Sequence, residues 1–161
     1  MVTKKESSEA AIDLADSYCA KAEKLRIMRQ GMPHGEKRDE VFNTEREYLR
    51  QSDRLYALSI IIMGNESEKA IQAIHSAAKR ILEFIKIVKD VERLLSASAA
   101  ILGIAVAVQG GSAPAILAAI KVFVEAVRDP EKQAEQVGEA TLAALKQLEG
   151  DNKARILQIG Q

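Results

Sequence analysis

Two histidines, a single cysteine and a diglycine turn are the groups in this sequence with chemistry to offer beyond ordinary surface charge. A histidine that ligates metal or serves as a base needs partners at characteristic offsets. His34 lies in a Gly-Pro turn and His75 in a helical stretch, and neither has Cys, His or Glu at a metal-ligand spacing. Gln72 stands where the Glu-x-x-His pattern of diiron bundles would place a carboxylate, so that pattern is missing. Cys19 has no second cysteine to pair with and no local signature of a nucleophile, so it is expected to pack in the interior. The turn Gly110-Gly111-Ser112 precedes a helix and could present free N–H groups to an anion. It lacks the lysine of a phosphate loop, and is read as a helix connection. The many carboxylates alternate with Lys and Arg at helical spacing, as solvated faces do. No catalytic residue, metal ligand, cofactor or small-molecule substrate is expected.

The elements around these groups are helical. Prolines occur only at Pro33, Pro114 and Pro130, aromatic residues are few, and tryptophan is absent, which is poor material for a β core. Ser7 or Ser8 is the expected cap of a first helix reaching Arg29, with Ala11, Leu14, Tyr18, Ala22 and Leu25 on its apolar face. Gly31-Met32-Pro33-His34-Gly35 ends it. A second helix is expected to begin between Glu36 and Thr44, where Thr44 and Glu47 have capping-box spacing, and to run to Met63, with Gly64 closing it. Asn65 and Glu68 have capping spacing for a third. There Ala70, Ile74, Ala77, Ile81, Phe84, Val88, Val91 and Leu95 recur at alternating steps of four and three, a seam of about three heptads.

From Leu94 to Ile120 no charged residue occurs. A third helix continued from Glu66 to Val108 would be about 65 Å long, with Ser96 to Ser98 or Gly103 as candidate kinks. Gln109-Gly110-Gly111-Ser112 breaks the stretch, and Ser112 is placed to cap a fourth helix reaching Arg128. The small residues of both arms suit a close-packed helical hairpin. Asp129-Pro130 reads as the start of a fifth helix, with Ala134, Val137, Ala140, Ala144, Leu145 and Leu148 on one face and Gly150 at its end. The sequence thus predicts an all-α fold: a single-domain bundle over residues 1–161 with four to five helices, a long central helix and an uncharged hairpin, residues 1–6 and 151–161 being flexible ends.

Charge narrows the function classes. Lys plus Arg total 23 and Asp plus Glu total 23, and residues 1–60 hold equal numbers of each sign. A nucleic-acid partner is not expected, since no basic face concentrates phosphate-neutralising charge. The N-terminal residues lack the apolar run of a secretory signal, and Leu94–Val108 and Ala113–Ile120 fall short of the ~20 residues of a membrane span, so cytoplasmic residence is expected. The leading expectation is a non-enzymatic interaction or oligomerisation protein whose seam, Ile74, Ile81, Phe84, Val88, Val91 and Leu95, meets another copy or another protein. The alternative is a membrane-active bundle that inserts the 94–127 hairpin, with Leu102, Ile104, Val106, Val108, Ile116, Leu117 and Ile120 meeting lipid. Helical pore-forming toxins and cell-death bundles offer that analogy of architecture.

Overall fold

A computed structural model describes residues 2–58 and 60–128 and contains five helices: α1 (Lys4–Gln30), α2 (Glu36–Ala57), α3 (Ser67–Ile87), α4 (Val91–Gly110) and α5 (Ala113–Arg128). The expected fifth helix after Asp129 and the end 151–161 lie outside the described residues.

The first helix starts earlier than expected. Thr3 is its cap: its side chain accepts from the Glu6 N–H while the Glu6 carboxylate accepts from the Thr3 N–H, so residues 3–6 are held in a reciprocal capping box instead of forming a free end. Ser7, the expected cap, is inside α1 and fully buried. Gly31 follows the last turn, as the sequence predicts. α2 opens at Glu36, and Thr44 sits within it, directing its hydroxyl to the Glu40 carbonyl in place of capping anything.

The end of α2 departs furthest from expectation. The helix stops at Ala57, and Ile60 to Met63 are not helical. Ile60 and Ile62 are buried while Ile61 and Met63 are 54% and 69% exposed, the alternation of an extended chain. Three successive β-branched residues resist the helix and favour that conformation. α3 begins at Ser67 behind Glu66, and no side chain caps it, so the expected Asn65–Glu68 box does not form.

The long central helix is divided as well. α3 ends at Ile87, and Asp90 caps a separate α4 by accepting from the Glu92 N–H at 3.1 Å. Asp at an N-cap with Glu in the first turn satisfies and complements that terminus. The break at residues 88–90 therefore precedes the expected kinks.

Packed together, the five helices form a closed ring in which α1 lies against α2 and α3, α2 also meets α4, and α5 joins α4 to α3. Two cross-links fix the relative direction of α2 and α4: Lys37 to Glu92 at their first turns, 2.5 Å, and Gln51 to Gln109 at their far ends, 2.7 Å. Leu14, Leu25, Leu55, Ile74, Ile81, Ile101, Ile104, Ile116 and Phe123 fill the interior, all essentially inaccessible. Each such side chain contributes about 1.5–3 kcal/mol through burial.

Candidate functional site

Leu14, Tyr18, Lys21 and Leu25 step along α1 by four, three and four residues, and all four are fully buried. A lysine therefore occupies a core position. Its ammonium nitrogen donates to the Leu94 carbonyl at 3.3 Å and lies over the Phe84 ring, 4.8 Å from its centroid, with the Tyr48 ring at 6.0 Å. No carboxylate accompanies it among the described residues. Burial away from water pushes its pKa down to about 7, since the apolar surroundings penalise the charged form.

Tyr18, one turn earlier, reaches into the backbone of α4. Its hydroxyl accepts from the Ala105 N–H at 3.1 Å and donates to the Ile101 carbonyl, the two groups that one helical hydrogen bond would join. Its ring meets Tyr48 edge-on, centroids 5.4 Å apart. Desolvation drives both phenols above their ordinary range. Among the described residues the Tyr48 hydroxyl has only the neighbouring Ser98 hydroxyl to turn to, and Ser98 directs its own proton to the Leu94 carbonyl at 2.7 Å. A lysine with so low a pKa has the chemistry of a base or an imine-forming amine. Here it is wholly enclosed, and its geometry is that of a polar tether between α1 and α4.

A second set of contacts fastens the hairpin tip. Gly111 takes the left-handed conformation, φ 72°, and ends α4. Met63 in the extended segment donates to the Gly111 carbonyl at 2.8 Å and accepts from the Ala113 N–H at 3.0 Å, forming a parallel bridge with Ser112. Ser7 of α1 in turn accepts from the Ile62 N–H at 3.3 Å. The N–H of Ala113, which an anion at this turn would need, is thus already bound.

The seam residues divide between two helices. Ile74, Ile81, Phe84 and Val88 lie in the core, where α3 packs on α1 and α5; Val91 and Leu95 are half-buried on α4. The regular spacing runs across the break at 88–90 without describing one surface. Of the hairpin residues, Leu102, Ile104, Val108, Ile116 and Ile120 are buried, Leu117 is half-buried and Val106 is 37% exposed. The outer side of α4 and α5 is uncharged from Ala99 through Gly103, Val106, Ala107 and Gly110 to Ala115 and Ala118. α4 is 20 residues long and, by length and composition, the one described helix able to cross a membrane; half of its apolar window is buried.

The expected chemistry of the remaining groups is likewise placed. His75 contacts Asp13 at 2.9 Å across α1 and α3, and His34 contacts Arg38. Cys19 is half-buried at the α1–α2 contact, its sulfur 3.0 Å from the Ser52 hydroxyl, while Tyr56 donates to Asp16 nearby, a bond that raises the phenol pKa. Among the described residues no three metal-ligating side chains converge. The packing of α1 on α4 brings Lys21, Tyr18 and Ser98 together, and the signal the sequence holds for it is a lysine interrupting the apolar row Leu14, Tyr18, Leu25. No family model, curated protein or solved structure matches this chain.

Proposed function

We propose that this chain is a non-enzymatic helical interaction module that docks on another protein or on a second copy through the uncharged outer side of its α4–α5 hairpin. The observation that carries this reading is the surface from Ala99 to Ala118, continued at the hairpin tip by the exposed Ile61 and Met63. Small residues let a partner helix approach closely, and the absence of charge removes the desolvation cost of covering them. The reading transfers the contact from the α3 seam, whose central residues are already engaged within the chain, to the hairpin.

Membrane insertion of the same hairpin is the second reading, favoured by the length of α4, whose 20 residues span about 30 Å. Light scattering on a sizing column, with and without liposomes, tests both. The first reading expects a defined oligomer or a stable complex that Val106→Asp disperses while the helical far-UV signal persists. The second expects liposome capture that Ala118→Asp abolishes. A strict monomer that binds neither partner nor liposomes, at neutral or acidic pH, overturns both.

A further inference from the structure

A cavity of about 400 Å³ opens between the end of α3, the start of α4 and the last turns of α5, away from the hairpin tip. Its volume falls in the range of small-ligand sites. Phe84 and Phe123, both buried, belong to its lining, with Val88, Val124, Val127 and Ile87 as further apolar walls. Ile87 is 74% exposed, the most exposed of the large apolar residues described. A groove of this kind leaves apolar surface in water unless something covers it.

Its polar lining is uneven in charge. Arg80 and Arg93 both border the groove, one from α3 and one from α4, against a single carboxylate, Glu83. Some exposed cations of this protein are paired, Arg26 with Glu23, Lys37 with Glu40 and Glu92, and Arg50 with Glu47. Arg80 and Arg93 have no ion-pair partner among the described residues, so their guanidinium donors are open to a ligand. Guanidinium groups favour carboxylate through paired N–H donors, and the partly apolar wall strengthens that attraction relative to open water.

We propose that this groove binds a long-chain aliphatic carboxylate, its tail along Phe84, Phe123 and Val127 and its head at Arg80 and Arg93. The apolar lining supplies affinity that grows with chain length, and the two arginines select the sign of the head group. This site is separate from the hairpin surface, and binding here is independent of any oligomer formed there.

Titration calorimetry on the full chain with dodecanoate, below its micelle concentration, is the test. The expected result is saturable one-to-one binding, weakened roughly fourfold for each methylene removed from the tail and absent with the cationic dodecyltrimethylammonium. Arg80→Gln with Arg93→Gln weakens it by at least about tenfold, the loss of an ionic hydrogen bond, whereas Arg80→Lys with Arg93→Lys, which keeps the charge and loses the paired donors, weakens it less than the Gln pair. Ile87→Glu, at an exposed position, also weakens it and leaves the helical signal intact. Non-saturable uptake, or equal affinity in the Gln and wild-type proteins, overturns the proposal. So does failure to bind together with an Ile87→Glu effect on particle mass or on Tm, which would mean that a second copy or the chain itself fills the groove.

Discussion

The hydroxyl of Tyr18 accepts a hydrogen bond from the Ala105 N–H at 3.1 Å, so a side chain of α1 takes part in the backbone ladder of α4. Side chains inserted in this way are a recognised cause of local bending, and they couple the position of one helix to the register of another. Removing only the hydroxyl frees Ala105 N–H to pair with the Ile101 carbonyl, the ordinary helical partner. Tyr18→Phe is therefore expected to cost about 1 kcal/mol, and Tyr18→Ala, which also empties the ring volume, about 3–5 kcal/mol. Urea unfolding of the two variants checks the difference; equal losses would mean that the hydroxyl and not the ring fixes α4.

Lys21 makes stability depend on pH in a direction opposite to that of a paired lysine. Its pKa is about 7 when folded against an ordinary 10.5. Between those values the unfolded chain holds a proton that the folded chain has lost, so stability rises with pH across that window. Below about pH 7 both states are protonated, and the penalty of the buried charge is fully present. The slope is at most about 1.4 kcal/mol per pH unit. Lys21→Met is expected to be more stable than wild type at neutral pH and to lose this slope, as denaturant midpoints from pH 6 to 10 would show. A steeper or unchanged slope in the variant would assign the effect elsewhere.

Adjacent glycines at the hairpin tip should respond in opposite ways. At Gly111 a Cβ would lie 2.7 Å from the Ile61 carbonyl oxygen in a left-handed conformation, so Gly111→Ala is expected to destabilise by more than about 2 kcal/mol. At Gly110 a Cβ meets nothing within 4 Å, and the residue is helical, so Gly110→Ala is expected to gain about 0.5–1 kcal/mol. Thermal melts of the pair suffice; parity between them contradicts the packing of the extended segment on the turn.

Ser7→Ala leaves the Ile62 N–H without its acceptor in a buried setting. The expected cost is about 1–3 kcal/mol. Amide exchange at Ile62 and Met63 should accelerate more than at Leu14, whose environment is untouched. Uniform acceleration would instead indicate a global loss of stability.

Helix content was legible in the sequence because composition and periodicity act over many residues at once. Boundaries were harder, since each depends on one local competition. Ser7 and Thr3 can both cap, and what decides is that Ser7 is needed by Ile62, a contact distant in sequence. At Ile60 to Met63 the apolar run suited a buried helix end, but β-branching and in–out alternation were the competing signals, and the available backbone partners at Gly111 and Ala113 settle it. The α3 seam is legible as apolar but not as divided, because Asp90 interrupts the helix without interrupting the spacing. The cluster around Lys21 draws on four helices, α1 to α4, which no local pattern contains.

Met63 and Ser112 stand far apart along the chain, yet they meet, and α3 and α4 lie between them. The bridge thus closes this stretch on itself and ties its two ends together, in addition to the contacts that α3 and α4 make along their lengths. A single proteolytic cut at the exposed Lys89, in the gap between α3 and α4, would leave each half anchored by its own contacts: α3 on α1 and α5, α4 on α2 and α5. The gap is accordingly a natural place to divide the polypeptide into two complementing fragments, expressed separately and recovered as one folded particle.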